Sequence, residues 1–170
     1  RKPLIAITPK SLLRHKEATS SLEDLSEGSF QTVIGDKNIL DPKKVKRVIM
    51  CSGKVYYDLL EFQQKNEIQD TAVIRVEQLY PFPGDDLKEI LMVYPKIEDV
   101  VWCQEEPQNQ GAWYSTQHRM RRVLKQIDGK IYLRYAGRKS SAAPAAGYIS
   151  VHVEEQNALV SKAFTVKKIK

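Results

Sequence analysis

No apolar run in this 170-residue chain approaches the roughly 20 residues of a membrane-spanning helix, so no such span is expected. Arg1-Lys2-Pro3 leads into only a few apolar residues, Leu4 to Ile7, which is too short for a secretory leader. Cysteine is scarce: Cys51 and Cys103 are the only two. Without a C-x-x-C pair or clustered histidines they offer no zinc spacing. Each closes a strand-like apolar run, which predicts buried, reduced thiols rather than a bridge. The three histidines, His15, His118 and His152, fall on separate predicted elements and read as surface or capping residues. The glycine-rich dinucleotide and phosphate loops, the G-x-S-x-G elbow and H-E-x-x-H are also missing. No catalytic set or metal site is therefore expected within these residues.

What is present is ordinary for a folded domain, with 42% hydrophobic and 28% charged residues. The length suits one domain. The chain starts without methionine and almost at once enters an apolar run, so it is expected to be a piece of a longer polypeptide. The net charge is +6, partly from Lys and Arg at the two ends and partly from His118-Arg119-Met120-Arg121-Arg122 with Lys125. Basic clustering of this kind is an electrostatic footprint for nucleic acid only when a recognisable module accompanies it. None does here. The expectation is a solvated helix face or one matched to an acidic neighbour.

Strand-like and helix-like segments alternate from residue 45 onward. Strands are predicted at 45–51, 71–76, 99–103 and 131–135, from short runs rich in Val and Ile. Helices are predicted at about 54–66, 85–94, 112–126 and 150–164, with Asp85 capping the second. Leu79-Tyr80-Pro81-Phe82-Pro83-Gly84 is a rigid loop, since each proline excludes helix at the residue before it. Thr8 is expected to cap a helical turn that begins at Pro9, and Arg1 to about Ser26 to form an irregular arm despite the capping-box look of Ser20 to Asp24. Runs such as Val48-Ile49 and Val100-Val101 suit strands buried on both faces. Right-handed crossovers then give an α/β fold: an open, largely parallel sheet with helices on both sides. In that topology Lys54, Gln78, Glu105, Glu106, Arg138 and Lys139 share the carboxyl edge of the sheet, where such folds meet ligands.

The central stretch is Val100-Val101-Trp102-Cys103-Gln104-Glu105-Glu106-Pro107-Gln108-Asn109-Gln110-Gly111-Ala112-Trp113. Glu105, Glu106, Asn109 and Trp113 are expected to structure this strand-to-helix connection. Two readings stand side by side. In one the tryptophans are packing anchors and the carboxylates a solvated turn. In the other, one carboxylate accepts amides at the start of the following helix, favoured by its dipole, and the second meets a basic partner. Side chains adjacent along a strand diverge, so Glu105-Glu106 is not a general acid/base dyad. Ser52-Gly53-Lys54 follows a strand and opens a helix, a geometry that offers amides and an ammonium to an anion. Lys54, Arg138 and Lys139 therefore make a candidate pocket for a phosphate-bearing effector; alternatively Arg138 pairs with Glu105 or Glu106 and ties loops together.

Five collinear stretches carry a resemblance: Ile7-Thr8-Pro9-Lys10-Ser11-Leu12-Leu13-Arg14-His15, Cys51-Ser52-Gly53-Lys54-Val55-Tyr56-Tyr57-Asp58-Leu59, Arg75-Val76-Glu77-Gln78-Leu79-Tyr80-Pro81-Phe82-Pro83, Trp102 to Trp113, and Arg134-Tyr135-Ala136-Gly137-Arg138. Together they resemble the C-terminal region of the decarboxylating, thiamine-diphosphate-dependent component of 2-oxoglutarate dehydrogenase. That resemblance implies a transketolase C-terminal-domain-like, three-layer α/β/α sandwich of about five strands, one of them antiparallel, for which residues 30–34 are the candidate. It implies a linker or arm over residues 1–28 and the α/β domain over 29–170. It implies thiamine diphosphate and magnesium in the longer parent, with the residues that bind them outside this chain. The implied partners are the upstream domains, a second copy in a homodimer, and the succinyltransferase component. The implied location is the cytoplasm for a bacterial protein and the mitochondrial matrix for a eukaryotic one. Some relatives carry an acetyl-CoA activator site, and AMP is a chemically related effector; the matching positions are Gln31, Lys54, Arg138 and Lys139. Gln31 and Lys139 stand where those relatives have arginines, which weakens forked recognition of phosphate.

Overall fold

The computed structural model describes residues 2–165. The chain separates into two compact units, Arg1–Phe30 and Gln31–Lys170. In the first, no described residue is buried, and Leu4, Ile5, Ile7, Leu22 and Leu25 are all exposed. It holds a 3-10 turn at Lys10–Leu12, where Pro9 and not Thr8 is the capping position. The expectation of an irregular arm also needs correction. Leu22–Ser26 forms a short helix, α1, because the Ser21 side chain accepts the Asp24 amide while the Asp24 carboxylate accepts the Ser21 amide. That reciprocal pairing satisfies two donors that would otherwise fray.

The second unit is one five-stranded sheet with two helices on each face. Its elements are β1 (Val33–Ile34), β2 (Arg47–Cys51), α2 (Val55–Lys65), β3 (Thr71–Val76), α3 (Gly84–Met92), β4 (Asp99–Pro107), α4 (Trp113–Ile127), β5 (Tyr132–Arg138) and α5 (Ile149–Thr165). The strand order is β1-β3-β2-β4-β5. β1 runs antiparallel to β3, and all other pairings are parallel. This is the expected mostly parallel α/β/α sandwich, and the antiparallel strand falls within residues 30–34. The composition of Thr165 to Lys170 predicts a frayed tail; Thr165 closes α5, and residues 166–170 lie outside the described residues.

Period-two alternation sorts the strand side chains into two cores. Val48, Met50, Ala72, Ile74, Val100 and Trp102 pack with Leu87, Leu91, Met120, Val123 and Leu124 of α3 and α4. Ile49, Cys51, Val73, Val101 and Cys103 pack with Val55, Leu59, Leu159, Val160 and Ala163 of α2 and α5. Successive residues of a strand point to opposite faces, so a strand apolar at every position is buried on both.

Two strands outrun their predicted ends. β4 continues through Gln104-Glu105-Glu106 to Pro107, and β5 continues to Arg138. The β4–β5 ladder pairs Cys103 with Ala136 and Pro107 with Arg138, and the irregular stretch between them takes in Gln104, Glu105 and Glu106. Asp85 does not cap α3; it sits with Asp86 inside the first turn, after Pro83. Acidic residues there face the positive end of the helix dipole.

Candidate functional site

The connection β2–α2–β3 runs to one side of β2, and α3 returns the chain to β4 on the other side. The carboxyl ends of β2 and β4 therefore flank the switch point, the usual ligand position in open α/β sheets. Ser52, Gly53 and Lys54 arrive there from β2, with Gly53 at a φ of 76° that a side chain would resist. Gln104, Glu105 and Glu106 arrive from β4. A cleft of about 250 Å³ lies among them, lined by Ser52, Gly53, Gln104, Glu106, Gly111 and Ser115.

Alternation decides what each β4 residue does. Glu105 points to the α2/α5 side and forms an ion pair with Lys54. It also accepts from Gln156 Nε2 at 3.0 Å, and the same amide donates to Asp58 Oδ2 at 2.7 Å. Arg138 Nη2 lies 3.4 Å from Gln156 Oε1 and 2.8 Å from His152 Nδ1, and Arg138 Nε is 3.3 Å from the Glu155 carboxylate. Since arginine only donates, His152 accepts through Nδ1. Lys54 and Arg138 are thus linked through Glu105 and Gln156, but each cation already has a carboxylate partner. Arg138 pairs with Glu155, not with Glu105 or Glu106.

Lys139 is exposed beside Arg138, on a niche of about 80 Å³. Gln31 precedes β1, at the far end of the same edge. With strands about 4.8 Å apart, four spacings separate β1 from β5, or about 19 Å, too far for one phosphate to touch both Gln31 and Arg138.

Gln104 faces the α3/α4 side and was not among the candidate residues. Its Oε1 accepts from Trp102 Nε1 at 2.9 Å and from the Trp113 amide at 3.0 Å. Its Nε2 donates towards the carbonyls of Gln110 at 2.8 Å, Pro107 at 3.2 Å and Glu106 at 3.3 Å. The amide at the start of α4 is therefore held by a buried glutamine, where a carboxylate had been expected. A neutral amide both donates and accepts, so it ties the whole turn without burying a charge. Gly111 makes room for it: its φ is 63°, and a Cβ there would lie 3.0 Å from Gln104 Nε2. Asn109 pins the neighbouring segment, with Oδ1 accepting the Ser141 amide at 2.9 Å and Nδ2 donating to its carbonyl at 3.0 Å. Trp113 packs against Tyr135 with ring centroids 5.0 Å apart. Glu106 is exposed and has no ion pair among the described residues.

Both cysteines are free and buried at paired positions of β2 and β4. Burial, with Glu105 nearby, pushes the Cys103 thiol up to about 12, and burial raises Cys51 well above its usual value. Neither is a nucleophile at neutral pH. Burial likewise pushes the Tyr135 hydroxyl up to about 12. Among the described residues no three His, Cys, Asp or Glu side chains converge as metal ligands.

The fold and its edge define a class: an open-sheet α/β/α domain whose switch point is bordered by its own ion pairs and amide bonds. The comparison with protein families goes further. The model for the 2-oxoglutarate dehydrogenase C-terminal family matches residues 19–164, and the chain belongs to that family. It is similar to the 2-oxoglutarate dehydrogenase E1 component of Azotobacter vinelandii, 57% identical over 98% of this chain and 18% of the relative. The E1 component of Haemophilus influenzae is 56% identical over 97% of this chain and 17% of the relative, and that of Cupriavidus necator 55% over 99% and 17%. The chain thus spans less than a fifth of the length of these relatives.

Proposed function

We propose that this chain is the C-terminal structural domain of an E1 enzyme that oxidatively decarboxylates 2-oxoglutarate in the tricarboxylic acid cycle. The observation that carries the reading is the Lys54–Glu105–Gln156–Asp58 network, which occupies the edge where a ligand would sit, in a chain whose family is defined by that enzyme's C-terminal region. The parent's chemistry uses thiamine diphosphate with magnesium to release carbon dioxide and hand a succinyl group to the succinyltransferase component. Among the described residues no three His, Cys, Asp or Glu side chains come together as metal ligands, which supports a reading in which other parts of the longer polypeptide hold that group. Residues 1–28 serve as the linker from the preceding domain, and residues 29–170 as the α/β domain. The parent acts as a homodimer to which this domain contributes contacts. Its location is cytoplasmic in a bacterium and the mitochondrial matrix in a eukaryote; no described helix is long and apolar enough to cross a membrane.

The test is Glu105→Gln in the full-length enzyme. A structural role predicts a lower melting temperature with an unchanged KM for 2-oxoglutarate. A raised KM at wild-type stability contradicts it.

A second reading, a regulatory site for acetyl-CoA or AMP, is supported by the linkage of Lys54 to Arg138 through Gln156, with Lys139 alongside. An anionic effector must compete with Glu105 and Glu155 for these cations. Calorimetric titration with either ligand tests it: heat that disappears with Lys54→Ala supports the site, and no heat at millimolar ligand removes it.

A further inference from the structure

The helix α4 carries a charge pattern that neither the fold nor the switch-point network uses. From Pro107 to Ile127 the sequence holds no Asp or Glu. One face of α4 is buried through Trp113, Thr116, Met120, Val123 and Leu124. The opposite face exposes His118, Arg119, Arg121, Arg122 and Lys125, with Tyr114 at its start, 57% exposed. None of the three arginines or Lys125 has a carboxylate partner among the described residues. Carboxylates are close by: Asp85, Asp86 and Glu89 lie on α3, which packs against α4, and Asp128 follows the helix. Asp86 instead accepts from Thr32, and Asp128 accepts the Lys130 amide. Arg119 with Arg122, Arg122 with Lys125, and Arg121 with Lys125 are like charges at helical spacings of three or four, and each such pair weakens the helix. The strain is left uncompensated by the described residues.

We propose that this face of α4 docks an acidic segment of a second polypeptide. Clustered arginines favour carboxylates, because the guanidinium fork receives both oxygens at once. An exposed tyrosine at the end of an arginine stripe is the composition of protein interfaces, where Tyr and Arg are enriched. The cations from Arg119 to Lys125 span seven residues of helix, about 9 Å, a footprint suited to three or four carboxylates of an extended or helical segment.

The test uses the chain with a labelled 16-residue peptide bearing eight glutamates, read by fluorescence anisotropy at physiological salt, against a single-stranded oligonucleotide of equal charge. Arg121→Glu with Arg122→Glu is expected to weaken peptide binding at least tenfold. Lys43→Glu with Lys44→Glu, a charge-matched control on another surface, is expected to change it less than twofold. Arg119→Gln with Arg122→Gln repeats the measurement without charge reversal, should the first pair fold poorly. Equal losses in the α4 and control variants overturn the proposal, as does an absence of peptide binding. Tighter, α4-dependent binding of the oligonucleotide also overturns it, and assigns the face to nucleic acid.

Discussion

The two edges of the sheet each hold an ionic network, and they are built on opposite plans. At the amino edge, Asp99 accepts from Arg134 at 2.9 Å and pairs with Arg47 at 3.3 Å, and all three side chains are nearly buried, at 10% to 16% exposure. Arg47 also reaches back to the Phe164 carbonyl and so ties in the end of α5. At the carboxyl edge, Lys54 and Glu105 are 32% and 21% exposed and Glu155 is 44% exposed, although Arg138 is only 8% exposed, so the two edges differ in the burial of their carboxylates. The bonds of the carboxyl edge pass through Gln156, an uncharged bridge that can change partners. The closed network fixes β2, β4 and β5 in register; the open one borders the switch point with groups that water, or an anion, can reach. Burial separates a lock from a latch.

Breaking the lock is the largest expected effect. Asp99→Ala removes the nearly buried carboxylate that bridges two guanidinium groups and should cost about 3 kcal/mol in a denaturant titration. Loss of the Gln104 bracket comes next. Gln104→Ala strands buried donors and acceptors on the Trp102 indole, the Trp113 backbone amide and the turn, for about 2–3 kcal/mol, with a change in tryptophan emission because the Trp102 indole bonds to that side chain. The latch is weaker: Glu105→Gln should cost about 1 kcal/mol or less, as partly exposed pairs do. A loss as large as that of Asp99→Ala would erase the distinction between the edges.

Smaller still, and of opposite sign, is Arg121→Glu. It places a carboxylate four residues before Lys125 and should stabilise the chain by about 0.3–0.5 kcal/mol in thermal melts. The smallest effect is that of Tyr135 and Cys103, whose titration leaves stability independent of pH near neutrality. Their folded pKa values, pushed up to about 12, lie above their unfolded ones, so their contribution is complete below about pH 8.5–10 and is lost as pH rises towards 12. An alkaline titration of stability should fall across that window, and Cys103→Ala with Tyr135→Phe should flatten it.

The apolar strands β2 and β3 were legible because Val48-Ile49-Met50 and Val73-Ile74 are buried on both faces. The ends of β4 and β5 were not, since Gln104, Glu105 and Arg138 lie within the strands while carrying polar side chains. Composition reads burial, not hydrogen bonding. Topology alone brought Lys54, Glu105 and Arg138 to one edge. Their connecting residues, Asp58 on α2 and Gln156 on α5, depend on how two helices are phased across the sheet, and nothing local in the sequence fixes that. Gln104 left one trace: an amide side chain on the inward face of an otherwise apolar strand, just ahead of a turn with a glycine. That is where a buried group able to both donate and accept is needed.

The most direct test is carbon dioxide release from carboxyl-labelled 2-oxoglutarate by this chain supplied with thiamine diphosphate and magnesium. A domain that leaves the chemistry to the rest of a longer enzyme releases none above the protein-free blank. Turnover that scales with chain concentration contradicts that account.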